Sequence, residues 1–440
     1  MSRSTNLRGL FAPKPLGAST TSLEEDAVLI AGAADDLQRI NTEINEVKRL
    51  EDTAETLRDV ALVTANVESA SARDLFTLES AARLAIAGSD ITTRLVTPAL
   101  ERYEGKRVNL EGLMDFIDSI WRAIVDAMKS VWNAVNDFFY KIFGTIPRLR
   151  RNIEEIQEKA EKGNDLLMES KVKLGPELGI HMRNDKLPTR ADELFNGVDI
   201  LYQHVEFYLA DYVKIAAEVY KDFGTEMVSF NEDRLEESLN ALSDVAIHLS
   251  ARYSPGELKL TEVKDPRFAP GEYVNLPHLP GNKTFYIRRV TIPNADKALE
   301  RAEAIQSCVV KMMDSKPRVK STVASSGEIE TPSNNDIMQL CTMMLNILDT
   351  VEKYGRGKDF IQIKKSKDEL LKISDDLVSR SRDLPRDSRA IPYYRSAIRF
   401  NSYMTTTVVQ PLTNLCSLAL LVVRSTVVIC QKSLGISTFF

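Results

Sequence analysis

LMDFIDSIWRAIVDAMKSVWNAVNDFFYKIF, residues Leu113 to Phe143, carries the most regular pattern in the chain. Leu113, Ile117, Ile120, Ile124, Met128, Val131, Val135, Phe138 and Ile142 recur at steps of three or four, and Met114, Trp121, Val125, Trp132 and Phe139 widen the stripe. At 3.6 residues per turn such positions share one side of an α-helix. Asp118, Arg122, Asp126, Lys129, Asn133 and Asp137 fall on the other side. The stretch therefore predicts an amphipathic helix with one wet face and one that needs cover. The cover is either the chain's own core or an outside partner, which makes Trp121, Trp132, Phe138 and Phe139 a candidate interaction helix. A polar face of mixed sign argues against a membrane as that partner, because surface-lying helices are usually rich in Lys and Arg there. Arg148, Arg150 and Arg151 follow directly and suit the negative end of a helix dipole.

Upstream, Leu37, Ile40, Ile44 and Val47 keep the same spacing, and Ser22 with Glu25 fits a capping box. This predicts a long amphipathic helix paired as a hairpin with the Leu57 to Ile86 region. Residues 1–21 are rich in Ser, Thr, Pro and Gly and carry only the basic charges Arg3, Arg8 and Lys14, so they read as a flexible tail. No apolar run marks that tail as a secretory signal.

Downstream, helical pattern continues to Leu249 with breaks at Gly175-Pro176 and Leu187-Pro188. Between Leu258 and Ile292 alternation and β-branched residues predict a small antiparallel insertion of one hairpin or three strands. Helix resumes from Asn294 to about Met313, residues 315–335 form a polar loop, and three helices follow, divided near Gly355-Arg-Gly and between Leu384 and Pro392. The last holds the apolar run Leu415 to Cys430. That run falls short of the roughly 20 apolar residues of a membrane span and contains Arg424, so it reads as a buried helix.

The expected fold is mainly α: an elongated helical bundle or set of hairpins with a β insertion around 258–292. Its divisions are a basic tail and possible propeptide at 1–24, long helices at 25–105, a helical domain at 106–255, the insertion at 256–293 and a C-terminal helical domain at 294–440. A length of 440 residues allows about two to four domains.

An apolar share of 43% and a charged share of 27% are those of ordinary globular proteins. A net charge of -6 argues against a nucleic-acid coat, which needs a concentrated excess of cations, and leaves weak DNA contact through Arg148, Arg150 and Arg151 open. Cys308, Cys341, Cys416 and Cys430 stand far apart in apolar helical contexts and read as buried thiols of a protein made in the cytoplasm.

The search for chemistry finds little. His181, His204, His248 and His278 lack the spacing of a helical zinc motif and read as surface or satisfied core residues; no Cys pair has metal-ligand spacing. Phosphate-loop, dinucleotide and nucleophile-elbow motifs are absent, and Gly355-Arg-Gly is too short to count. The sequence calls for no catalytic residue, metal or cofactor and reads as a structural or interaction component. The competing readings are a membrane-active, pore-forming type of helical protein, a non-enzymatic helical adaptor, and an enzyme of unfamiliar type. One motif is of another kind: Ser22-Leu23-Glu24, a small residue, any residue, then Glu, lies where the tail meets the first helix. Ser326-Gly327-Glu328 repeats the form within the polar loop, while Ala99-Leu100-Glu101, Ala216-Ala217-Glu218 and Ala298-Leu299-Glu300 recur in helical pattern.

The segments Leu37-Gln-Arg-Ile-Asn-Thr-Glu-Ile, Leu75-Phe-Thr-Leu-Glu-Ser-Ala-Ala, Val108-Asn-Leu-Glu-Gly-Leu and Leu279-Pro-Gly-Asn-Lys, in this order about the Trp-rich helix, resemble the internal head, or inner-body, proteins of large phiKZ-like tailed bacteriophages. The resemblance covers approximately residues 22 to 290. It implies a protein packed with the scaffold core inside the prohead, trimmed by the phage prohead protease, and retained in or ejected from the mature head. Proteases of that system are associated with cutting after a small-x-Glu tripeptide, so the resemblance makes Ser22-Leu23-Glu24 the position to carry over, with cleavage after Glu24. The basic tail so removed would target the chain to an acidic scaffold. Implied partners are the prohead protease and the scaffold, core or capsid proteins; the implied location is the capsid interior.

Overall fold

The computed structural model describes residues 21–65, 110–163, 170–175, 177–251, 259–262, 272–288, 290–315, 326–385 and 388–436. Helix α1, Thr21–Ala65, lies against α2, Leu110–Lys162. Asp36 pairs with Lys141 while Glu43 meets Ser130, so the two run antiparallel. Of the region expected as the hairpin partner of α1, Leu57 to Ala65 continue α1 itself, following the buried stripe of Ile44, Val47, Leu50, Ala54 and Leu57, and residues 66–86 lie outside the described residues.

Helix α2 also runs further than its Trp-rich stretch. Ile146, Leu149, Ile153, Ile156 and Ala160 continue the buried stripe straight through Pro147. A proline inside a helix loses one backbone bond and crowds the preceding turn, at a cost of about 3 kcal/mol. Burying a few aliphatic side chains, each worth about 1.5–3 kcal/mol, outweighs it. The Arg148 to Arg151 cluster consequently sits in mid-helix, which corrects its reading as a helix C-terminus.

Next come β1 (Lys171–Leu174), the one-turn α3 (Glu177–Ile180), and α4 (Ala191–Glu206), which passes through a π-helical turn at Phe207–Tyr212 into α5 (Val213–Val228), followed by α6 (Leu235–Ala251). The β region is larger than expected. Strands β2 (Lys259–Glu262), β3 (Glu272–Leu276), β4 (Lys283–Arg288) and β5 (Val309–Asp314) make one antiparallel sheet in the order β2-β3-β4-β5. The helix expected from Asn294 to Met313 stops as α7, Ala298–Gln306, and its end becomes β5, pairing Phe285 with Met312 and Ile287 with Val310. A second, two-stranded sheet joins β1 to β6, Gly327–Glu330, from within the stretch expected to be loop. The turn before β4 has Gly281 at φ 69 and Asn282 at φ 54, left-handed geometry that these two residue types tolerate best.

The C-terminal third follows expectation: α8 (Asn334–Arg356), α9 (Lys358–Asp383) and α10 (Ala390–Ser433). Ser333 caps α8 in a reciprocal box with Asp336. Helix α10 is buried along almost its whole length and packs against α1, α2, α8, α9, α6, α7 and β5. A helix apolar on all sides is stable in water only when surrounded in this way. Four of its hydroxyls are satisfied within the helix, Thr405, Thr413, Thr426 and Ser433 donating to the carbonyls of Asn401, Val409, Val422 and Ile429, and Ser425 donates across to the Glu177 carbonyl. Buried apolar residues from Ala33 to Cys430 form one contiguous cluster.

Candidate functional site

The N-terminal junction comes first. Because α1 begins at Thr21, Ser22-Leu23-Glu24 forms its opening turn rather than the end of a tail. The first four N–H groups of any helix lack intrahelical partners, and helix ends fray, so this turn opens more cheaply than any turn behind it. Ser326-Gly327-Glu328 stands differently. Gly327 and Glu328 pair in register with Leu174 and Lys173, and Ile329 is fully buried. Presenting that copy to a protease requires separating β6 from β1.

Behind the junction, α1 is seated on α2 and α10 through polar as well as apolar contacts. Asp36 pairs with Lys141 at 2.6 Å, Glu43 accepts from Arg39 at 3.0 Å and from Ser130 at 2.9 Å, and Asn41 accepts from Gln410 at 3.0 Å. Further along, Glu55 faces Arg399 at 3.8 Å. Glu51 is buried beside Arg399 and Ser402; burial pushes its carboxyl up to about 7, and the attraction of Arg399 and the Ser402 hydrogen bond only partly offset it. On α10, Arg395 reaches Asp118 at 3.3 Å and lies over the Trp121 ring at 5.8 Å.

Trp121, Trp132, Phe138 and Phe139, the candidate interaction residues, all lie in the interior. Phe139 packs edge-on against Tyr354 and Phe360, with centroids 5.5 and 5.0 Å away, and Trp132 lies 6.5 Å from Phe360. The stripe is covered by α1, α8, α9 and α10 of the same chain. Of the three arginines, Arg150 is held by Asp349 at 2.5 Å and Glu352 at 3.0 Å, Arg148 is half-buried, and Arg151 is exposed. The four cysteines are free and buried; Cys308 leads into β5 rather than lying in a helix. Helix α10 is long and apolar enough to cross a membrane, and 83% of its most apolar window is buried inside the protein.

One arrangement was invisible in the sequence. A cavity of about 680 Å³ opens beside the turn between Arg183 and Lys186 and is lined by His181, Arg183, Lys186, Leu187, Glu193 and Asn196 among others. The turn is tight because Asn184 and Asp185 both adopt left-handed φ, 52 and 62. Arg183 donates through Nε to the His278 carbonyl at 3.1 Å and makes a long contact with Asn196 at 3.5 Å. Glu193 is committed elsewhere, accepting from the Thr189 N–H at 2.8 Å and hydroxyl at 3.3 Å, which hold its carboxyl below the usual range. His181 is buried with neither ring nitrogen bonded among the described residues, and burial pushes its pKa down to about 3, holding it neutral. That corrects its reading as a surface or satisfied core residue; buried His204 fits it only in part, since Nδ1 bonds the Ile200 carbonyl at 2.7 Å and the ring stacks on Phe285, while Nε2 has no hydrogen-bond partner among the described residues. The spacing of Arg183 and Lys186 about Asn184-Asp185 signals a turn, and nothing in it signals a cavity.

Among the described residues no group of three His, Cys, Asp or Glu is placed to hold a metal. Fold and site together define a mainly helical protein in which several ion pairs, among them Asp36–Lys141, Arg150–Glu352 and Arg395–Asp118, join one helix to another. No curated protein and no solved structure matches the chain. The chain belongs to the phiKZ-like phage internal head proteins, whose family model matches residues 25–430, and is thus a virion protein of the capsid interior.

Proposed function

We propose that the protein is a structural component packaged in the prohead with the scaffold core, trimmed after Glu24 by the prohead protease, and acting through packing rather than catalysis. The observation that carries the processing step is where the family match begins. Its first residue, Glu25, is the one that cleavage after Glu24 would leave at the new N-terminus. The shared part of the family is then the part that remains, and the basic tail is the part discarded. The position of Ser22-Leu23-Glu24 in the first turn of α1 supports the same reading, since only that turn need fray for the scissile bond to become extended. Glu328, held in a β-ladder, is spared while the fold is intact.

N-terminal peptide mapping by mass spectrometry of the protein recovered from virions tests this. The expected first residue is Glu25, and Glu24→Gln retains the tail. Particles whose copies still begin at Met1 or Ser2 would show that no such processing takes place.

A further inference from the structure

Burying a charge without a counter-charge is costly, so a half-buried cation with no acid beside it is poised to gain from an arriving anion. Arg183 is such a cation. Desolvation lowers its pKa, and among the described residues its contacts are a backbone carbonyl and a neutral amide; of the carboxylates near the turn, Glu193 is taken up by Thr189 and Asp185 by Asn282. Lys186 stands across the tight turn on the same cavity. Leu187 and Pro188 supply an apolar wall, and His181 adds a buried, neutral imidazole to the lining. A volume of about 680 Å³ is in the usual range for small-ligand sites.

We propose that this cavity binds a carboxylate on a short apolar stem, as the side chain of Glu presents it in an acidic peptide, with the Arg183 guanidinium as principal contact and Asn196 and the His278 carbonyl holding that guanidinium in place. The planar fork of Arg matches a carboxylate with two parallel bonds. The wall of Leu187 and Pro188 suits the methylenes behind it. A nucleic-acid strand fits less well, because evenly spaced phosphates are met by a row of exposed cations rather than by one guanidinium recessed in a cavity.

The test uses the full chain and three probes: glutarate, inorganic phosphate and a short DNA duplex, titrated by calorimetry at low salt. Glutarate is expected to bind. Arg183→Gln, and separately Arg183→Lys, which keeps the charge and loses the fork, are expected to weaken it about tenfold or more, the size of one lost charge-assisted bond. Asn196→Ala, which removes only the neutral contact to Arg183, serves if the Arg183 variants do not fold, and is expected to weaken glutarate measurably. Glutarate heats that are absent, or that survive these substitutions unchanged, overturn the site. Phosphate or duplex bound through Arg183 as tightly as glutarate overturns the carboxylate assignment.

Discussion

Arg395 and Asp118 meet at 3.3 Å in the interior, with the arginine side chain only 2% exposed and the Trp121 ring beneath it. The pair joins α10 to α2, and the guanidinium Nε and Nη1 find no hydrogen-bond partner among the described residues. Asp118 is its nearest compensation. Asp118→Ala is therefore expected to cost about 3–5 kcal/mol, the penalty of an orphaned buried charge. Replacing both residues by Leu and Met is expected to cost far less. Urea unfolding of the single and double variants measures the difference, and equal losses would mean that the charge is solvated some other way.

Glu51 gives the protein a pH dependence of defined sign. Its carboxyl titrates near 7 in the fold, against 4.5 for the ordinary group. Below 4.5 both folded and unfolded chains hold the proton, and the stability it confers is fully present. Between 4.5 and 7 the unfolded chain gives it up while the fold retains it, so stability falls as pH rises, by about 1.36 kcal/mol per unit and about 3 kcal/mol in all. Glu51→Gln is expected to remove this slope and to be more stable than the parent at pH 8. A melting series from pH 5 to 8 that is parallel for the two proteins would contradict the assignment.

The thiols supply a further expectation. Burial pushes Cys341 up to about 12 and raises Cys416 and Cys430 well above the ordinary thiol range too, so the thiolate that reacts is scarce as well as inaccessible. A maleimide or disulfide reagent is expected to modify none of the four until the chain unfolds. Rapid labelling at Cys416 or Cys430 in native protein would show that α10 leaves the core readily.

Trp121 and Trp132 are both buried, so their emission is expected to be blue-shifted and nearly insensitive to acrylamide. Adding phospholipid vesicles is expected to leave it unchanged, because the stripe that carries them is already covered. A spectral change with vesicles at neutral pH would favour the membrane-active reading.

Helical periodicity made much of this fold legible. The stripes of α1 and α2 and the divisions near Gly355 and Leu384 were readable because one apolar face repeated over many turns. Gly355 shows what such a reading lacks: a Cβ there would come within 2.5 Å of Phe143 and 2.9 Å of Phe139, so this glycine, still inside α8, marks close helix approach, and the break falls at Gly357. Strand β5 was missed because Val309-Val310-Lys311-Met312-Met313 follows a helix directly, and methionine suits helices at least as well as strands. Strands β1 and β6 were missed because each is short and pairs only with a partner far away in sequence. The cavity was illegible for a related reason. Its guanidinium is anchored on the carbonyl of His278, a contact made by the fold and not by any local spacing.

Helix α10 lies at the middle of the core, yet every element it packs against precedes it in the chain. During synthesis α1, α2, α8 and α9 therefore leave the ribosome before the surface that covers them exists. Their apolar stripes can satisfy one another only in part, and the final close packing waits until residue 433 has emerged. A message or ribosome halted short of residue 390 is thus expected to yield a product with its central apolar surfaces open and prone to aggregate.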